Sequence, residues 1–262
     1  MHLKKAFCQN NSEGIRIMNN SINLQTRNSS NYSGTKIDRE SFRCLELNIP
    51  TSGEWMRKIK ENAAEIEKRL NVGQANTSEA RDALTIKIDN LSGIIAEYAC
   101  AEILRMYIGK DKIYKPTSES SKNQIDIALD QGKKTIEVRS SCVKNGIDFA
   151  LFAKPAYGGQ NQYFDVIGPY SNQYKPGECE KDYYMRVLYC CEKKNFMELL
   201  KQATLKMYIT GGVTKNMMND SNIYQIKHLV PAGGEVDVES DYRVVPLGKS
   251  LDIVDFIAEI KR

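Results

Sequence analysis

Histidine is almost absent: His2 and His228 are the only two in 262 residues. That scarcity argues against two-histidine zinc sites, paired-histidine phosphodiesterase chemistry and histidine-metal nucleases, which all need more imidazoles than this chain offers. A Ser-His or Cys-His nucleophile would have to use His228, which lies in a strand-like run, Tyr224-Gln-Ile-Lys-His-Leu229, and reads as a structural or surface histidine. The phosphate-cradling loop Gly-x-x-x-x-Gly-Lys-Ser/Thr is missing, which argues against an ATP-driven motor. No apolar run approaches a membrane span, and Met1 to Cys8 holds too short an apolar part for a signal peptide. The seven cysteines are odd in number, scattered and free of any Cys-x-x-Cys spacing. The expectation is a cytoplasmic protein with reduced, mostly buried thiols and no membrane partner.

What is present is balanced. There are 37 Lys+Arg against 33 Asp+Glu, a net charge of +4. This mild basicity permits nucleic acid as a partner without demanding it. Residues 1–35, rich in Asn and Ser without sustained periodicity, read as a loosely ordered extension. Residues 36–262 read as one domain: a helical lead-in over 51–76, a core over about 78–210, and C-terminal strands and a helix over 211–262.

The first helix is expected after Pro50, with Thr51 and Glu54 as a capping box and Trp55, Met56, Ile59, Ala63, Ile66 and Leu70 on one stripe. A second helical region starts at Ser78 and runs to about Ile108; its latter half, Leu91 to Leu104, is apolar nearly all round and so is buried. Glu97 sits in the middle of it. A carboxylate there is costly unless it is hydrogen-bonded, paired or liganded. Glu102, on a different face, is expected at the edge of the helix.

The segment 124–139 alternates apolar and polar residues on both sides of Gln131-Gly132, the pattern of a β-hairpin. A turn there pairs Asp130 with Lys133, and therefore Asp126 with Glu137. Two carboxylates facing each other destabilise a sheet unless a cation sits between them. Hard oxygen ligands of this kind suit a divalent cation. Lys144-Asn-Gly-Ile147 is a second hairpin signal. Further strands are expected over Phe42–Leu47, Tyr163–Ile167, Tyr183–Cys190, Leu205–Ile209, Tyr224–Leu229 and Tyr242–Pro246, and helices over Asn195–Ala203 and Leu251–Ile260. The pairs Gly158-Gly159, Gly211-Gly212 and Gly233-Gly234 read as turns. The fold class is α/β (α+β): a mixed sheet flanked by helices.

The order of parts (a helix with a buried Glu, a strand with Asp, a strand with Glu-x-basic) resembles the PD-(D/E)xK nuclease superfamily, over residues about 90–155. The resemblance implies a restriction-endonuclease-like core in which Glu97 matches the helix glutamate, Asp126 the metal-binding aspartate and Glu137 the second carboxylate. Arg139 stands where the family has lysine, and Ile125 where it has proline. An arginine holds charge on a phosphate but cannot act as a base. If Asn145-Gly146 is a two-residue turn, Lys154 faces Glu137 and offers a replacement ammonium; otherwise Lys154 is a surface lysine. By this resemblance Asp126, Glu137 and Glu97 hold Mg²⁺, Arg139 contacts the scissile phosphate, and bound Mg²⁺ makes water nucleophilic. In the turn-rich loop 168–177, Asn172 and Gln173 are candidates to read adenine edges and Lys175 to contact a phosphate. The expectation is an Mg²⁺-dependent DNA endonuclease of restriction or phage-defence type, working on double-stranded DNA as a homodimer. The alternatives are a repair or junction-resolving nuclease and a DNA-binding module without catalysis.

Overall fold

Strand β9 (Tyr183–Tyr189) is buried at every position, and strand β10 (Thr204–Thr214) at most of its positions, so both occupy the centre of a sheet covered on its two faces. The computed structural model describes residues 22–28, 41–69, 82–115, 125–142, 152–153, 162–163, 165–171, 179–229 and 240–262. Around the central pair lie β1 (Ile22–Asn28), β2 (Ser41–Pro50), β3 (Ile113–Tyr114), β4 (Ile127–Leu129) and β5 (Lys134–Cys142). The strand order is β1-β2-β10-β9-β5-β4-β3. Every neighbour pair along it is antiparallel except β5 and β9, which run parallel. The expected mixed sheet flanked by helices is therefore the fold.

One face of the sheet carries helices α1 (Glu54–Arg69), α2 (Ala83–Ile108) and α5 (Ile253–Ile260). The apolar stripe of α1 buries Met56, Ile59 and Ala63 against the core, as its spacing predicts. Its expected capping box does not form. Thr51 instead donates its hydroxyl to the carbonyl of Gln202, its amide bonds the carbonyl of Ala203, and Glu54 pairs with Arg57. Two orphan groups at the end of β2 are thus satisfied by the turn before β10 rather than by the helix itself. Helix α2 begins with Asp82, whose carboxylate accepts from the Thr85 amide at 2.8 Å, and it ends at Ile108. From Leu91 to Leu104 it is buried on nearly every side, and the Tyr189 hydroxyl ties it to β9 by donating to the Ser92 carbonyl at 2.7 Å.

The other face holds a second cluster, with Phe42, Cys44, Tyr184, Leu188 and Tyr208 meeting Val166 and Val245. Those two valines come from β8 (Val166–Ser171) and β12 (Ser240–Val245), which with β11 (Gln225–Leu229) form a small antiparallel sheet, order β11-β12-β8. Short elements complete the chain: the pair β6 (Phe152–Ala153) and β7 (Gln162–Tyr163), helices α3 (Phe196–Leu199) and α4 (Lys215–Asn219), and β13 (Leu251–Asp252) on the far part of β10. The stretch expected as one strand over Tyr163–Ile167 is split between β7 and β8, and the helix expected over Asn195–Ala203 is confined to α3.

Gly211 and Gly212 are not a turn. β10 continues through them, with a register shift between Ile209 and Gly211 where it meets β9. Gly211 has φ +107°, and a Cβ there would lie 2.3 Å from the Leu251 carbonyl oxygen. A Cβ on Gly212 would lie 2.0 Å from the Tyr184 carbonyl oxygen. The two glycines let β13 and β9 close on β10 from opposite sides, the use a bulge makes of such residues. Among the described residues, no helix is long and apolar enough to cross a membrane.

Candidate active site

The hairpin forms with the expected register. Ile127 faces Ile136, Ala128 faces Thr135 and Leu129 faces Lys134, so one further step sets Asp126 across from Glu137. The turn works because Gln131 takes φ +60° and Gly132 φ +89°, and the Lys133 amide bonds the Asp130 carbonyl. Ile127 and Ile136 turn to the helical face and are fully buried. Asp126 and Glu137 are both buried too, at 6% and 9% exposure.

Asp126 lies just before β4, where the ladder stops. Its Oδ2 accepts from the Val138 amide at 2.8 Å. In an antiparallel pair, amides two residues apart point to the same neighbour. The Asp126 carboxylate therefore takes the place of the next backbone acceptor and closes the end of the β4–β5 ladder. Burial, then the nearby Glu97 carboxylate, push the Asp126 carboxyl up to about 7, against the pull of the Val138 amide, Arg139 and Lys115. Burial likewise raises the Glu97 carboxyl, and Glu137 adds to the rise, while Lys115 opposes it. Glu97 on α2 thus acts electrostatically on Asp126 at the head of β4, and Glu137 on β5 acts on Glu97.

The cations are distributed differently from expectation. Arg139 Nη2 lies 3.2 Å from Glu137 Oε1, so the guanidinium in the lysine position pairs with the carboxylate two residues back on its own strand. The ammonium nearest Glu97 belongs to Lys115, just past β3. Its Nζ is 2.5 Å from Glu97 Oε2, donates to the Asp126 carbonyl at 3.4 Å, and lies 4.8 Å from the centre of the Tyr98 ring. Lys115 was not legible as a site residue, because β3 is only two residues long and gives no periodicity. Arg186 was missed as well. It is the register partner of Arg139 on β9, within a run of seven buried residues that reads as plain core. Glu102, expected at the helix edge, is buried and paired with Arg105 at 2.5 Å; a partner three residues on makes that burial tolerable. Lys154, Asn172, Gln173 and Lys175 lie outside the described residues, as do the Lys144–Ile147 hairpin and the glycine pairs at 158–159 and 233–234. The backbone of His228 is in β11, as expected.

In kind, the donor set suits a hard divalent cation: three carboxylates and no soft ligand. The raised Asp126 and Glu97 carboxyls mark buried negative charge that a cation would relieve. As placed, however, no three His, Cys, Asp or Glu side chains among the described residues converge closely enough to hold a metal ion. The Lys115 ammonium and the Arg139 guanidinium hold the positive charge here. No protein-family model matches this chain, and neither does any curated protein or solved structure.

Proposed function

We propose that this protein is an Mg²⁺-dependent endonuclease of the PD-(D/E)xK type, a restriction or phage-defence enzyme acting on double-stranded DNA. The observation that carries the reading is that Glu97 on α2 acts electrostatically on Asp126 at the head of β4 and is acted on by Glu137 on β5, with the half-buried Lys115 ion-paired to Glu97. Asp126, Glu137 and Glu97 would hold the Mg²⁺. When bound, Mg²⁺ lowers the pKa of a water and offsets charge on the phosphorus under attack. The chain's own residues do the rest. Asp126 anchors to the Val138 amide, so its carboxylate is fixed relative to β5. Lys115, held by Glu97, keeps a fixed positive charge beside the carboxylates and can hold a water for attack. Arg139 offers a charged fork to a phosphate oxygen. Two cuts, one per strand, call for a dimer, and the reduced thiols fit a cytoplasmic enzyme.

One observation favours a second reading. Both Glu97 and Glu137 are already paired with cations, as in a DNA-binding module that has lost its metal. Incubation with plasmid and varied linear DNA in Mg²⁺ decides. Metal-dependent cleavage by the wild type, lost in Asp126→Asn and Glu137→Gln and strongly reduced in Lys115→Met, supports the enzyme. Cleavage that survives Asp126→Asn refutes the site. DNA retained without cleavage across metals moves the protein to the second reading.

A further inference from the structure

β5 and β9 run parallel, and in their register Arg139 lies beside Arg186. In-register neighbours on adjacent strands project from the same face, with the strands about 4.8 Å apart. The two positive charges act on each other across the strands, and like charges so placed repel. Arg186 is 4% exposed. Its Nη1 donates to two neutral acceptors, the Arg139 carbonyl at 3.2 Å and the Ser141 hydroxyl at 3.0 Å. Its Nε is buried without a partner, and no carboxylate among the described residues is within ion-pair distance of it. Asp165, whose charge acts on Arg186 from farther off, is bonded by Lys227. Burial pulls the Arg186 guanidinium down to about 10, and Arg139 adds to the pull, yet it stays charged at neutral pH.

A buried guanidinium whose hydrogen bonds go only to neutral acceptors, with the nearest acting carboxylate already bonded by a lysine, is expensive to keep. Core packing alone does not explain it, because an apolar side chain of the same length fills the space at lower cost. Its position does. It is buried beside Arg139, which is 23% exposed at its side chain and pairs with Glu137. We propose that Arg139 and Arg186 together form an anion site that takes a phosphate group. Arg139 makes the contact through its fork. Arg186 is a positioning residue: it bonds the Arg139 carbonyl, fixing β5 at that point, and adds a second positive charge from the interior. That the phosphate belongs to a DNA backbone rests on the reading above; the anion site itself does not.

The test is thermal unfolding of the full chain titrated with inorganic phosphate, with ionic strength held constant by chloride. The expected result is a wild-type midpoint that rises by about 2 °C or more. In Arg186→Met the midpoint without phosphate holds or rises, and the phosphate response is lost. Arg186→Lys, which keeps the charge, keeps a response. If Arg186→Met does not fold, Arg186→Gln replaces it in the same titration. A wild type indifferent to phosphate overturns the site, and so does an undiminished response in Arg186→Met or Arg186→Gln. In a second arm, binding of a double-stranded oligonucleotide is measured in Ca²⁺ against salt. Arg186→Met should bind at least tenfold more weakly, with a salt slope smaller by about one. A phosphate response without DNA binding leaves the anion site standing and removes the nuclease reading. DNA binding unchanged by Arg186→Met, with an unchanged phosphate response, does the reverse.

Discussion

Asp126→Asn should stabilise the metal-free protein, and only above mildly acidic pH. The Asp126 carboxyl rises from 3.8 to about 7 on folding, through burial first and the Glu97 charge second. Because the folded state holds this proton more tightly than the unfolded state, it carries more protons between about pH 4 and pH 7. Stability therefore falls as pH rises across that window. Below it both states are protonated and nothing is lost; above it the whole cost is present. Each pKa unit corresponds to about 1.4 kcal/mol, so keeping Asp126 ionised at pH 8 costs about 4 kcal/mol at most. Local relaxation lowers that figure, and the expected gain from Asn is about 2–4 kcal/mol at pH 8 and near zero at pH 4. Asparagine suits the comparison because its side-chain carbonyl can still accept from the Val138 amide. Alanine would leave that buried amide unsatisfied, at about 1–3 kcal/mol, and mask much of the gain. Urea unfolding in EDTA, at pH 4 and pH 8, reads the difference directly. Parallel pH curves for the two proteins, or a less stable Asp126→Asn at pH 8, would refute the electrostatic account of this site.

Glu97→Gln should leave thermal stability close to wild type while strongly lowering cleavage; a clear drop in stability with activity per folded molecule retained would make Glu97 a core group only. Asp252→Ala should lose about 3–5 kcal/mol in urea unfolding, because Asp252 is fully buried, takes Arg43 Nε at 2.6 Å, and caps α5 by accepting from Val254 and Asp255 at 3.1 and 3.0 Å. Gly212→Ala should fail to fold or lose several kcal/mol, since the new methyl meets the Tyr184 carbonyl of a central strand and neither backbone can yield; a soluble, wild-type-like variant would show that β9 and β10 are less closely apposed than described.

Much of the site was written in local pattern. The period-2 alternation around Gln131-Gly132 determined the hairpin and its register, since a one-residue slip would turn every isoleucine out of the core. The run from Leu91 to Leu104 determined that this half of α2 is buried, and with it that Glu97 is largely withdrawn from solvent. From these alone, Asp126 and Glu137 had to face each other and Glu97 had to need a partner. The partner itself was another matter. Lys115 reaches Glu97 only because β3 docks on β4 at the sheet edge, a pairing two residues long that leaves no trace in periodicity. Arg139 beside Arg186 depends on β5 and β9 running parallel across a long connection, and no local signal sets that neighbour. Gly211-Gly212 looked like a turn because glycine pairs serve turns and close approaches equally, and only the packing of β13 and β9 against β10 selects the second use. Periodicity is a property of neighbours in the chain and determines which way each carboxylate points. Which cation meets it is decided by segments far apart in sequence, and so by tertiary structure alone.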